Sequence, residues 1–249
     1  MLVKALPRPS RKYQETVCCA GVTEAGEWRR LFPVRFRQLT QTQQFDRWQW
    51  VSYGARRPSD DRRMESRRIE ENTLRTGTKE PARSRLQRLL PLLRASTNEA
   101  AARNESLTLL EPSELQLRAR RKPIAAINAE LERYREAARQ GSLLDPGLAE
   151  MKPCPFAVQI TFKDDDGNGH SPLCGDWETS AAFFNLARGM SEHGVIEHLR
   201  KAYTERSSEK RIFLALGTVK ARPSQWLLLG VLRVTEPKIV VQRQFTLAF

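Results

Sequence analysis

The chain is poor in the residues that build metal and redox sites: its 249 residues include 3 His, 4 Cys and 4 Met. Two of the cysteines, Cys18 and Cys19, are adjacent, and neighbours in a strand point to opposite faces. With Cys154 and Cys174 they make a poor disulfide framework and read as free thiols in a reducing compartment. No apolar run approaches the ~18 residues of a membrane span; the most apolar windows, 212–219 and 226–234, are strand-sized. The N-terminal MLVKALPRPSRKYQ lacks the apolar core and cleavage pattern of a secretory signal. The expectation is a soluble, cytoplasmic protein with no membrane partner. Also absent are a Walker loop, a G-x-G-x-x-G turn, a G-x-S-x-G elbow and any repeat of 20–50 residues. No nucleotide-binding or nucleophilic catalytic motif announces an enzyme.

What is abundant is arginine. Lys and Arg total 42 against 29 Asp and Glu, for a net charge of +13, and Arg outnumbers Lys 32 to 10. The excess is local. Residues 1–95 carry 21 basic and 10 acidic side chains, whereas residues 96–155 are balanced and residues 156–249 hold 12 and 10. Genome-wide Arg bias does not localise charge in this way, so the asymmetry points to a polyanion-binding surface. Aromatic residues crowd the same region: Tyr13, Trp28, Phe32, Phe36, Phe45, Trp48, Trp50 and Tyr53. Cations neutralise phosphates and aromatic faces stack on bases, so Arg29, Arg30, Arg35, Arg37, Arg56 and Arg57, with Trp48, Trp50 and Tyr53, are the candidate nucleic-acid contacts. The competing reading makes the aromatics the core of a small β-domain.

Residues 15–22 read as a strand, and a turn at Thr23–Glu27 leads to a second strand over Trp28–Arg37. There Val34 and Phe36 alternate with Arg35 and Arg37, and Pro33 marks an edge or a bulge. A third strand spans Phe45–Arg57, and the charged run Arg56–Arg75 reads as a solvated, partly self-neutralising loop. Pro81–Arg94 has a helical stripe of Leu86, Leu89, Leu90 and Leu93, interrupted at Pro91. Leu107–Arg121 is expected to be a hairpin of the same β-domain, extending its basic face with Arg118, Arg120 and Arg121.

A helix starts at Pro123 and ends near Gly141, with Ile124, Ile127, Leu131 and Tyr134 on its apolar face. A linker covers 142–155. Phe156–Lys163 alternates as a strand, DDDGNG is a turn, Asp176 caps a helix, and Val195, Ile196, Leu199 and Tyr203 mark another. Strands are expected over Ile212–Val219, Trp226–Val234 and Lys238–Leu247. The domain plan is 1–122, a basic β-rich domain; 123–155, helix and linker; and 156–249, an α+β domain.

Two groups compete as reactive sites. Asp164, Asp166, Asp176 and Glu178 are carboxylates of the kind that hold Mg²⁺ or Mn²⁺ in a nuclease, against a bland reading as turn and helix cap. The run from Asp164 to Gly169 starts like a calcium loop, but its twelfth position is Gly175 rather than Glu. Cys154, His170 and Cys174 have zinc-ligand character without a fourth partner.

The stretches ETVCCAGV and GEWRRLFPVRF, followed by SLTLLEPSELQL, resemble bacterial dual-OB-like proteins of unassigned function. The resemblance implies an OB-like nucleic-acid-binding fold. Together with the patterning above, the expectation is an α+β protein with an N-terminal small β-barrel (OB-like) carrying a helical insertion, then an α+β domain with an antiparallel sheet. OB-like barrels bind single strands in a groove. The resulting expectation is a nucleic-acid-binding accessory subunit of a bacterial antiviral-defence or mobile-element system. It would partner DNA or RNA and further protein subunits, with no cofactor. The alternatives are a metal-dependent nuclease, requiring Mg or Mn, and a protein-interaction scaffold.

Overall fold

The computed structural model describes residues 1–10, 13–139, 151–207 and 209–235. It is mixed α+β. The first seven strands are β1 (Val3–Lys4), β2 (Arg8–Ser10), β3 (Gln14–Thr16), β4 (Cys19–Val22), β5 (Trp28–Phe32), β6 (Gln49–Arg56) and β7 (Ser66–Lys79). Five form one sheet in the order β1-β4-β5-β7-β6. Every ladder is antiparallel except that between β5 and β7. Strands β2 and β3 pair separately. The order leaves β1 and β6 at its two ends, so the described ladders form no closed barrel. Trp48 N donates to Met1 O at 2.7 Å where these edges approach.

Two expectations fail here for physical reasons. The strand expected over Trp28–Arg37 stops at Phe32, because Pro33 has no N–H for the ladder. Phe36–Gln38 is a 3-10 turn, so Val34 and Phe36 are buried while Arg35 and Arg37 fold back onto the protein. The second half of the expected loop over 56–75 is β7, an interior strand of the sheet. Only Ile69 and Leu74 of that strand join the apolar core, with Leu31, Val34, Phe36 and Phe45. Its charge density hid a one-sided strand whose other face meets polar partners and solvent.

The leucine stripe forms α1 (Arg85–Leu89) between two 3-10 turns, the second containing Pro91. Leu86, Leu89 and Leu92 are buried, whereas Leu90 is exposed. Helix α2 (Thr97–Ala102) follows, capped by Ser96, which accepts from Glu99 N.

Next come β8 (Leu107–Leu110), β9 (Ser113–Arg121), α3 (Ile124–Arg139), β10 (Phe156–Lys163), β11 (Gly169–His170), α4 (Trp177–Leu186), α5 (Glu192–Thr204), β12 (Lys210–Val219) and β13 (Arg222–Thr235). Segment 107–121 is not a hairpin of the N-terminal domain. Strand β8 pairs with β12, and β9 pairs with β10. The basic side chains of β9 therefore belong to the second half of the molecule. Helices α4 and α5 pack Phe183, Val195, Ile196, Leu199 and Tyr203 against the apolar faces of two three-stranded sheets, β11-β10-β9 and β13-β12-β8. In α3, Tyr134 is buried, but Ile124 is exposed, so its expected apolar face is only partly covered. The expected strand Lys238–Leu247 lies outside the described residues, as does most of the linker.

The two halves share a core. Leu2, Val3, Trp28, Trp48, Leu86 and Leu89 of the first pack with Leu107, Leu109, Phe213, Leu229 and Leu232 of the second. Burying such a side chain contributes roughly 1.5–3 kcal/mol, so apolar contact holds the seam. Gly217 keeps the packing close on both sides of it: an added Cβ would stand 2.5 Å from Leu229 Cδ1 and 2.9 Å from Leu107 Cδ2 in the second half, and 3.1 Å from Arg30 Nη2 in the first. Among the described residues, no helix is long and apolar enough to cross a membrane.

Candidate nucleic-acid interface

The arginines expected to reach phosphate divide sharply. Arg30 is buried at 4% exposure; its Nη2 donates to Ser106 O at 2.9 Å. Arg35 Nε donates to Glu71 Oε2 at 2.7 Å, and Arg37 Nε to the buried Glu15 Oε1 at 2.7 Å. Arg29 pairs with Glu27 at 2.5 Å. All four therefore have partners within the protein, Arg30 the most deeply buried and Arg35 with its side chain still 40% exposed. Arg56 and Arg57 remain exposed at the end of β6. Arg56 also stands directly opposite Arg68 in the β6–β7 register. Like charges across an antiparallel pair oppose stability, so this end of the sheet is held together despite its charge. Arg68 Nη2 donates to Tyr13 OH at 2.7 Å, a neutral partner that leaves the charge uncancelled.

On β9, Leu117 and Ala119 pack into the second core, and Arg118 and Arg120 face outward. This is the period-2 pattern of a half-buried strand. Arg121 is exposed and pairs with Glu192, its guanidinium 5.5 Å from the Phe156 ring centre.

The aromatic platform is not an open one. Trp48 is buried, beneath the Arg85 guanidinium at 5.0 Å from its ring centre. It adopts φ +69°, and left-handed backbone costs a bulky residue about 1–3 kcal/mol. Trp50 is half-buried; its Nε1 donates to Glu80 Oε2 at 2.8 Å, and Arg88 lies 5.3 Å from its ring centre. Tyr53 is half-buried, and burial pushes its phenol above the usual tyrosine value.

The carboxylates do not converge. Asp164 is buried and accepts from Asn168 N at 2.9 Å and from His170 Nε2 at 2.8 Å. Burial opposes its charge, but His170 and Asn168 outweigh this and hold its pKa below the usual carboxylate value. Asp166 is exposed in the turn, where Gly167 takes φ +80°. Glu178 pairs with Lys4 at 3.2 Å.

Asp176 does cap α4, accepting from Glu178 N at 3.0 Å, and it does more. Arg47 Nη2 donates to both of its carboxylate oxygens, at 2.9 and 2.8 Å, and Val231 N donates to Oδ2 at 3.1 Å. Arg47 Nη1 completes the clamp on Val231 O at 2.7 Å. Burial pushes the Asp176 carboxyl up, opposed by Arg47 and the two backbone donors. An expected metal ligand is thus the buried joint between the halves.

Nor do Cys154, His170 and Cys174 form a zinc set. The His170 ring stacks on Phe162 at 4.8 Å, and its Nε2 is held by Asp164. Cys174 Sγ lies 3.5 Å from Thr179 Oγ1, and burial pushes its thiol up to about 12. Among the described residues, no three His, Cys, Asp or Glu side chains are grouped to hold a metal ion.

A second polar joint surrounds Asp61. Arg63 Nη2 donates to its Oδ2 at 2.7 Å, Ser66 Oγ does likewise at 2.7 Å, and Arg63 Nη1 reaches Thr218 O in the other half. Burial opposes the Asp61 charge, but these donors bring its pKa down to about 2. A depressed carboxylate stabilises the fold fully above its unfolded pKa of about 4 and loses that contribution as pH falls through its folded value. Urea unfolding of wild type and Asp61→Asn between pH 6 and pH 2 should therefore converge toward the acid end, the wild type losing the larger increment.

Sequence reading missed a cluster that the seam assembles. Arg85 from α1, Lys201 from α5, Arg206 beyond it, Lys210 from β12 and Arg233 from β13 line one cleft of about 650 Å³, with Trp48 and Arg47 at its wall. They come from segments far apart in the chain, so no local pattern joins them. The one hint in the sequence was the alternation of Leu232, Arg233 and Val234, which turns Arg233 outward.

No curated protein and no solved structure matches the chain. Residues 1–94 match a family described as Domain of unknown function (DUF8758). The second match begins at residue 92, ahead of β8, in agreement with the pairing of β8 and β9 to later strands. It covers residues 92–247, and the chain belongs to this family, Domain of unknown function (DUF8757).

Proposed function

We propose that this protein is a nucleic-acid-binding accessory subunit that holds the phosphate backbone on an arginine surface. The observation that carries this reading is the charge the fold leaves uncancelled. Arg56 and Arg57 stand exposed at one end of the N-terminal sheet, and Arg56 is set against Arg68 rather than against a carboxylate. Arg118 and Arg120 add an exposed pair on β9.

The strand order supports an OB-like interpretation of the first half. Three antiparallel strands, β1-β4-β5, continue through a parallel contact into the β7-β6 pair, and Met1 approaches Trp48 from the opposite edge. A five-stranded, partly open barrel is the form such a sheet takes when it curls. A role in bacterial defence or a mobile element follows from the sequence resemblance. That role, further protein subunits and a cytoplasmic location, the last read from the free thiols and the strand-sized apolar runs, belong to the same proposal. The dispersal of Asp164, Asp166, Asp176 and Glu178 favours binding over metal-dependent cleavage.

Fluorescence anisotropy with labelled single- and double-stranded DNA and RNA tests the reading. Arg56→Glu/Arg57→Glu should weaken binding at least tenfold at 50 mM salt. It should also flatten the log K against log salt slope by roughly 2, about one unit for each phosphate that loses its arginine. Equal affinity and slope in the folded variant would remove this surface from the interface.

A further inference from the structure

Among the described residues, the seam cleft is lined by seven Arg and Lys side chains and a single carboxylate, and what matters is how those cations are held. Arg47 and Arg211 also line it, but each has its own carboxylate, Asp176 and Glu111. Arg85 and Arg233 are held differently. Their guanidinium carbons lie 5.0 Å from the Trp48 ring centre and 5.6 Å from the Tyr203 ring centre. An aromatic face positions a guanidinium without neutralising it, leaving in-plane N–H donors for an anion. Arg85 Nε donates to Glu80 O, a neutral carbonyl, and Arg206 donates to Pro112 O.

Lys201 has Glu205 at 3.9 Å, with side chains 73% and 62% exposed, a geometry that binds neither firmly. Lys210 is exposed and meets no carboxylate among the described residues. Among the described residues, Glu205 is thus the single carboxylate lining the cleft.

We infer that this cleft is a binding site for the phosphodiester backbone of a single nucleic-acid strand, gripped by Arg85, Lys201, Arg206, Lys210 and Arg233. The inference rests on the nucleic-acid reading and adds a second grip, remote from Arg56 and Arg57 in sequence. A cleft of about 650 Å³ has room for a segment of one strand. Trp48 and Tyr203 are buried beneath the arginines, so they orient cations and do not stack on bases. The grip should therefore be indifferent to base sequence. The clamp between Arg47 and Asp176 fixes the two halves that contribute the cations, so the site is formed before the strand arrives.

The test compares wild type, Lys210→Glu/Arg233→Glu and the milder Lys210→Gln/Arg233→Gln, each checked for native circular dichroism. Probes are a labelled 20-nucleotide oligo(dT), a mixed-sequence 20-mer and inorganic tripolyphosphate. The charge-reversal variant should bind both oligonucleotides at least thirtyfold more weakly than wild type, and the Gln variant several-fold more weakly. The salt slope should fall by about 2. Wild type should bind both 20-mers within threefold of each other.

Unchanged affinity and slope in both variants, while Arg56→Glu/Arg57→Glu loses binding, overturns the cleft and leaves the nucleic-acid reading standing. Failure of wild type to bind either oligonucleotide overturns both. Tripolyphosphate bound as tightly as the 20-mers, and lost in the variants, assigns the cleft to small polyphosphates and overturns the polymer inference.

Discussion

Asp176→Ala is expected to destabilise the protein by about 3–5 kcal/mol, the range for removing one partner of a buried ion pair. The carboxylate is 1% exposed and is shared by three donors: Arg47, Glu178 N and Val231 N. Alanine leaves the Arg47 guanidinium, 19% exposed, without its counter-charge. It also uncaps α4, a loss of ~1 kcal/mol contained in that range. For a chain of this length the melting temperature should fall by roughly 10 °C.

The companion measurement is Arg47→Met/Asp176→Ser, which removes the buried charge from both sides and keeps a hydroxyl cap. Its loss should be smaller than that of Asp176→Ala alone. A double variant as unstable as the sum of the singles would show that the two residues do not act as a pair. The same result bears on catalysis. Any activity lost in Asp176→Ala has a structural explanation before a chemical one, so a nuclease assay on that variant must be read against its melting curve.

Glu65→Ala should be comparably damaging, at about 3–5 kcal/mol, although no single contact looks decisive. Glu65 is 7% exposed and accepts from Ser106 N at 2.7 Å and from Ser106 Oγ at 2.9 Å. Ser106 O and Oγ in turn accept from Arg30 Nη2, at 2.9 and 3.4 Å. One serine from the second half therefore links a buried cation and a buried anion of the first. Removing the anion leaves Arg30 charged and the Ser106 N–H unsatisfied. Chemical denaturation should show a lower midpoint for Glu65→Ala, and Glu65→Ala/Arg30→Met should recover part of it. A Glu65→Ala midpoint within error of wild type would mean that water reaches Arg30 and that the seam is looser than its geometry.

Both residues show why the charge pattern was only partly informative. The arginine surplus of the first 95 residues is a fact of sequence, but its destinations are not. Arg30, Arg35, Arg37 and Arg47 read like Arg56 and Arg57 until Ser106, Glu71, Glu15 and Asp176 are brought beside them from 22 to 129 positions away. A local pattern sees a cation and its immediate neighbours; an ion pair is a long-range event. Strand β7 shows the same limit. With Ile69 and Leu74 as its apolar anchors it lacks the period-2 signal, and pairing with β5 and β6 decides its conformation.

What the sequence determined by itself is what adjacent residues can enforce. The alternation in Phe156–Lys163 produced β10, Pro91 broke the leucine stripe, and Asp176 capped α4 because cap geometry needs only the next turn. The scarcity of His and Cys was equally legible, as was the arginine excess. The tertiary structure decided what depends on distance. It split 107–121 between two C-terminal strands, turned Asp176 from a candidate ligand into the joint of the molecule, and gathered Arg85, Lys201, Arg206, Lys210 and Arg233 around one cleft. The reason is that burial and electrostatics act through space: a charge is a structural partner or a free grip according to what packs beside it.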